Sequence, residues 1–532
     1  MFENIETIEI VNDKKFNKIF ILKEYFEKNS EEIKNEIIFF ISSIKNQKLN
    51  GLKIKKFLSF DNNFSVWDLS LINEKNVYKS DSILNLTKFI KIKKILKNNN
   101  SKKKILLKNF DQKFINEFKK TEIYKYNRFE LIFIKNYKRE LKEEFLLKIN
   151  NSIILSILYF IFFCLKNLSF NSFKDIKDKN IKSIFFNYFT QYNQTKLEKG
   201  KFCPKQWPDD TYKLNDIFWV NIFLPNKEFK NIHKINNFIK NKNIKNILFI
   251  NNFLNITILY KIFKTFLISL YKFYFFIRKF KYNKKNNNDN LIFLKDDIKK
   301  SLCCFHLLQN LTFHYLIQNF LEKTNRRDHK IFYLFENQPW EKSLIFRCRK
   351  LNIQKIYAYS HTTINYWHLN YFNTKADNNN YLKNHFPKMI LCHSENCRKY
   401  LLDQGYKSKQ LIKVSAERFR WATNIKKIIF LKKRKKILVI GDYEKNINLN
   451  LINIINNFAV KNPKYHITYK PHPSTFYDLS FLNSKINISR KSLKEILNNF
   501  EIIVSTNSTA ASAEISLAGI TNSVVASGTG TS

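Results

Sequence analysis

The chain's 532 residues exceed what one ordinary core organises, so two or three domains are expected. A formal net charge of +49 accompanies 52 Phe and 26 Tyr but only 7 Gly, 8 Pro and 2 Met. That profile fits drift toward A/T-rich codons, so the charge is a weak indication of a nucleic-acid partner and stays compatible with anionic lipid headgroups.

The opening MFENIETIEI is acidic and lacks the apolar run of a signal peptide. Residues 1–140 alternate short apolar runs with basic helical stretches, as in KKKILLKNF before DQKFINEFKKTEIY, and are expected to form an α/β region. Residues 141–290 read as helical and apolar, closing on the polar linker KYNKKNNNDN. Within them SIILSILYFIFFCL (152–165) is too short to span a bilayer, and burial is its default expectation. FLISLYKFYFFIRKF (266–280) reads as amphipathic or interfacial. Seven cysteines, odd in number and without a Cys-x-x-Cys pair, show no zinc spacing and fit a reducing, cytoplasmic setting.

From 291 to 425 strands and helices alternate clearly. KIFYLF (330–335), KIYAYS (355–360), KMILCHS (388–394) and LIKVSA (411–416) read as strands. PWEKSLIFRCRKL starts a helix on Pro339, and ENCRKYLLDQ ends one on Gly405. Residues 426–436 are read as a linker. A second alternation fills 437–532, with strands KILVIG, YHITYK and EIIVST and helices over 448–460, 492–500 and 509–519. Strands separated by helices imply parallel sheets and two Rossmann-like units.

Ligands of open α/β sheets sit beyond the carboxyl ends of the strands, so the loops there carry the candidate chemistry. In the last domain these are GDYEKN after Gly441, PHPST after Lys470, and STNSTAASAE from Ser505. The third loop runs into a helix start whose Ser508 and Thr509 suit either capping or a phosphate. Glu514 suits a ribose or the helix dipole equally. In the second loop, two prolines in a proline-poor chain hold His472 extended beyond the strand, beside that anion site. Further upstream, Glu336 stands where a strand stops in FENQPWEK, with Glu341 one turn into the helix, and His361 ends the next strand in YSHTT. Glu336 and His361 are the alternatives for a general base, each weighed against a capping or structural role. Asp209 and Asp210 form a surface pair, but no Asp-x-Asp metal bridge, Walker loop or Gly-x-Gly-x-x-Gly occurs, so neither a metal nor another cofactor is expected.

Together these features resemble a glycosyltransferase of the GT-B type: α/β, two Rossmann-like domains facing a cleft, here with a helical apolar insertion in the N-terminal half. More narrowly, FSVWDLSLINEKNVYKS (64–80), SIFFNYFTQYN (183–193), FENQPWEKSL, YAYSHTT, KVSAERF (413–419) and KPHPS are similar to the bacterial surface carbohydrate (O-antigen or capsule) biosynthesis family. The His-Pro pair and Ser/Thr loop resemble those of bacterial sialyl- and Kdo-transferases. That resemblance implies that His472, Pro473, Ser505 and Thr506 hold a nucleotide donor. A glycan or lipid-linked acceptor is expected with it, and the basic surface together with the 152–165 and 266–280 segments would keep a cytoplasmic enzyme at the inner face of the membrane. The Asp-Asp-Gly or Glu-Asp-Gly motif of some sialyltransferases is absent. Because GT-B chains usually return a helix to the N-terminal domain and this one stops at VVASGTGTS, a truncated or partner-completed enzyme is expected. A polyol-phosphate transferase, a basic nucleic-acid-binding protein and an inactive homologue remain the alternatives.

Overall fold

The computed structural model describes residues 6–12, 15–22, 24, 28–49, 51–61, 63–77, 79–97, 104–126, 128–133, 152–168, 181–189, 192–207, 216–226, 228–282, 289–324, 328–362, 364, 367–415, 436–442, 445–472, 479–506 and 523–526. Two compact units emerge: one of Met1–Lys205, Asp209–Ser360 and Tyr366–Val414, the other of Gln206–Pro208, His361–Asn365 and Ser415–Ser532. The 426–436 linker falls outside the described residues except for Lys436, as does the helix expected over 509–519.

The first unit begins with a four-stranded mixed sheet of β1 (Thr7–Asn12), β2 (Lys15–Ile21), β3 (Lys104–Phe110) and β4 (Arg128–Phe133), in the order β2-β1-β3-β4. Helices α1 (Ser30–Asn46) and α2 (Asp81–Lys97) belong to the same segment. The larger sheet has seven parallel strands: β5 (Ser183–Phe189), β6 (Ile217–Phe223), β7 (Ile247–Phe249), β8 (Lys330–Leu334), β9 (Ile356–Ser360), β10 (Met389–Cys392) and β11 (Leu411–Lys413). Their spatial order is β7-β6-β5-β8-β9-β10-β11. In chain rank this runs third, second, first, fourth and onward, which is the Rossmann order with its reversal between β5 and β8.

The stretch 141–290, expected to be helical, therefore also supplies three strands of this sheet. SIFFNYF and IFWVNIF are aromatic runs buried almost throughout. A run apolar on both sides does not separate a buried strand from a buried helix by periodicity. The two apolar segments expected to be helical are α3 (Ile153–Asn167) and α4 (Ile256–Tyr282), and α5 (Asp289–Cys303) and α6 (Phe305–Thr324) follow them as helices that the sequence reading did not single out. Helix α7 (Pro339–Lys350) starts on its proline, and α8 (Glu395–Asp403) is capped by Ser394 and followed by Gly405 at φ +87°.

The second unit is a five-stranded parallel sheet of β12 (Lys436–Ile440), β13 (His466–Lys470), β14 (Ile486–Ile488), β15 (Ile502–Thr506) and β16 (Ser523–Ala526), with helix α9 (Lys445–Lys461). Its order β14-β13-β12-β15-β16 repeats the same chain rank, third-second-first-fourth-fifth. The core packs Ile437, Val439 and Ile467 of the sheet against Leu451, Ile452 and Ile455 of α9.

Glycine is scarce, and asparagine takes its place at tight turns. Among the described residues eight non-glycines adopt left-handed φ, and six of them are Asn: 63, 109, 243, 246, 337 and 352. Asparagine tolerates this region better than other side chains do.

Candidate functional site

Each parallel sheet reverses its strand order once, and a polar cluster stands at each reversal. In the first unit the reversal lies between β5 and β8, whose register pairs Phe186 with Tyr333. Tyr188 near the end of β5 donates its hydroxyl to Gln338 Oε1 at 2.8 Å, and Trp340 Nε1 donates to the same oxygen at 3.2 Å. Gln338 Nε2 in turn donates to the Glu336 carboxylate. Glu336 is half-buried at the strand end; Gln338 and Trp340 are buried.

Glu341, 2% exposed, organises this loop. It accepts the backbone N–H of Glu336 at 3.1 Å, of Asn337 at 2.9 Å and of Gln338 at 3.1 Å. Glu341 thereby forms the capping box of α7 with Gln338. Burial, with the Glu336 charge beside it, raises the Glu341 carboxyl well above the usual carboxylate range against the opposing pull of the three amides. Asn337, at φ +57°, donates to Asn370 O at 2.7 Å, and Asn370 Nδ2 donates to Glu336 O at 2.8 Å. Burial, with the charges of Glu336, Glu74 and Glu341 beside it, raises Tyr188 well above the usual phenol range, so it stays a donor. Glu74 is fully buried and paired with Lys79 at 2.6 Å, and buried Lys342 is pulled down to about 8 by desolvation. The segment 64–80 is therefore an internal part of this unit, with Trp67, Asp68, Glu74 and Lys75 all buried. His361, after β9, is 5% exposed and grouped with the second unit.

In the second unit the reversal lies between β12 and β15. Ile440 is in register with both Lys470 and Ser505, so the chain leaves three adjacent strands at one level. Asp442, 3% exposed, accepts a hydrogen bond from the Thr506 hydroxyl across the reversal. Asn448 fixes the backbone of residue 442 from both sides. Its Oδ1 accepts from Asp442 N and its Nδ2 donates to Asp442 O, each at 2.6 Å, while Tyr469 OH donates to the same Oδ1 at 3.1 Å. Gly441 fits this cluster for a steric reason: a Cβ there would stand 2.5 Å from Tyr469 OH and 2.9 Å from Asn448 Oδ1.

The other expected residues distribute as follows. Ser505 and Thr506 are both buried at the end of β15. Lys470 closes β13 and donates Nζ to Lys491 O at 2.7 Å, and His472 is half-buried two residues on. Pro473, Ser508, Thr509 and Glu514 lie outside the described residues. Sequence reasoning missed Asp442, Asn448, Tyr188 and Gln338. The signal for Asp442 was its place after a strand-end glycine, and for Gln338 its place at the N-cap before Pro339.

No protein-family model matches the chain, and no curated protein sequence does. Among solved structures it is similar to UDP-N-acetylglucosamine 2-epimerase from Rickettsia bellii, at 12% identity over 64% of this chain and 78% of that one, with a TM-score of 0.34. It is also similar to Acinetobacter baumannii MurG, at 8% identity over 65% and 78% with a TM-score of 0.32. A glycosyltransferase from Rickettsia africae ESF-5 is similar at 11% identity over 62% and 81%, with a TM-score of 0.33.

Proposed function

We propose that the protein is a GT-B-type glycosyltransferase of surface polysaccharide biosynthesis. It moves a sugar from a nucleotide donor to a glycan or lipid-linked acceptor, with inversion and without a metal. The observation that carries the reading is the Rossmann strand order repeated in both parallel sheets, with a polar cluster at each reversal. Ligands of such sheets bind at the reversal. A donor half and an acceptor half then have one sheet each.

In the second unit the donor's phosphates meet the loops after β12, β13 and β15. His472 donates to the leaving phosphate, with Lys470, Ser505, Thr506, Ser508 and Thr509 around it; Pro473 holds the histidine extended, Gly441 keeps the β12 loop close, and Glu514 meets the ribose. Asp442, joined to Thr506, positions that hydroxyl. In the first unit Glu336, held by Gln338 and by the loop that Glu341 ties down, takes the acceptor hydroxyl's proton. His361 is the alternative base. Preorganised donors of the His472 kind are worth about 2.7–4 kcal/mol of transition-state stabilisation each.

Calorimetric titration with CMP, CDP and UDP tests the reading. One nucleotide is expected to bind, and His472→Ala to weaken it roughly tenfold or more, the worth of a hydrogen bond to a charged group. Folded protein that binds none of the three overturns it.

A further inference from the structure

Helices α3 and α4 carry an outward face that nothing in the transferase reading uses. α3 is apolar all round, Lys166 being its one charged residue. Its inner stripe buries Ser156, Phe160 and Phe163, with the Phe160 ring edge-on to Phe263 of α4 at 5.7 Å and Phe163 edge-on to Phe305 of α6 at 5.7 Å. Its opposite stripe leaves Ile154 and Leu165 each 71% exposed, Leu158 57% and Ile161 48%.

Beside it, α4 turns Ile258, Ile262 and Phe266 inward and ties that side to the unit through Thr265 with Tyr315 and Ser269 with Leu302 O, both at 2.7 Å. Outward it presents Tyr260, Lys264, Leu267, Tyr271, Tyr274 and Arg278. Lys264 stands 5.9 Å from the Tyr260 ring and Lys166 4.3 Å from the Phe162 ring, so the cations border the apolar surface. Neither helix contains an acidic residue.

We infer that this two-helix face docks on the surface of an anionic phospholipid bilayer. The aliphatic residues enter the acyl boundary, the tyrosines lie at headgroup depth, and the lysines and Arg278 meet the phosphates. Long apolar stripes exposed to water are uncommon on soluble surfaces, and interfacial helices combine such a stripe with Tyr and Lys at its border. Docking lies in the plane: no helix among the described residues is long and apolar enough to cross a membrane. A second copy of this chain fits less well. A two-fold contact would set the same cations against each other with no carboxylate between them.

The inference stands apart from the transferase reading, because its test needs no catalysis. The full chain is floated with vesicles of phosphatidylglycerol and phosphatidylcholine, and with phosphatidylcholine alone. Two variants, Leu158→Glu with Leu165→Glu and Leu267→Glu with Tyr271→Glu, change only outward positions, and circular dichroism verifies their folding. Binding to the anionic vesicles is expected to exceed that to neutral ones at least tenfold, and each variant to lose roughly tenfold. Nucleotide titration should be unchanged, which separates failure here from failure at the strand ends. Undiminished vesicle binding in both variants overturns the proposal, since charge elsewhere would then suffice. So does absence of vesicle binding, and so does a dimer that the same glutamates dissociate while vesicle binding stays absent.

Discussion

At the scale of residues, the second unit turns on atoms that leave no slack. Gly441→Ala forces its new methyl against Tyr469 OH, and such overpacking costs about 1–3 kcal/mol. Tyr469→Phe removes the nearest atom and should restore part of that loss, read as urea midpoints of the single and double variants. Thr506→Val takes the donor from a buried carboxylate, so Asp442 loses a partner and stability falls by about 1–3 kcal/mol. His472→Ala, on a half-buried side chain, should leave the midpoint nearly unchanged while lowering turnover roughly 10²–10³-fold. A variant that lost stability instead would make His472 a structural residue. The prolines flanking His472 were legible because drift had removed most others. Asp442 was not, since a lone acidic residue after a strand has no pattern until the reversal puts Thr506 beside it.

At the scale of elements, Glu341 holds the β8–α7 loop through three backbone N–H groups, and Gln338 of that loop engages Glu336. Glu341→Gln keeps the size but turns an amide N–H toward backbone N–H groups. Each amide left without an acceptor costs about 1–3 kcal/mol. Reduced thermal stability together with lost transfer activity is expected, and the isosteric Glu336→Gln should lose activity with little change in melting temperature. Much of this element chain was readable. β8 to β13, β15, α7 and α8 fall where Pro339, Gly405 and alternating apolar runs signal them. β5, β6 and β7 were hidden because Phe and Tyr, abundant everywhere in this chain, blur the difference between a buried strand and a buried helix. The short strands β14 and β16 carry too few residues to show a period.

At the scale of the whole molecule, the excess of lysine reaches the interior. Burial, with Lys342 nearby, lowers Lys75 to about 7, and burial lowers Lys91 to about 7 and Lys342 to about 8, against 10.5 for an unburied lysine. Between about pH 7 and pH 10 the unfolded chain therefore binds more protons than the folded one, and stability rises as pH rises. Below that window both states are protonated and the folded state bears the full cost of the buried charges. Lys75→Met should raise stability at neutral pH and flatten the climb, measured as denaturant midpoints across the window; an unaltered slope would show that Lys75 is not titrating there. The turns made with asparagine have a different consequence, one of ageing. Asparagine is thermolabile where glycine is not. Its amide hydrolyses to a carboxylate, most readily where water and a mobile backbone reach it. Exposed Asn63, Asn243 and Asn352 should convert first during warm storage, as peptide mass mapping would record. Asn337 is 2% exposed and its amide is engaged by Asn370 O, so it should convert last. The periphery then gathers negative charge while the loop that carries Glu336 keeps its original chemistry.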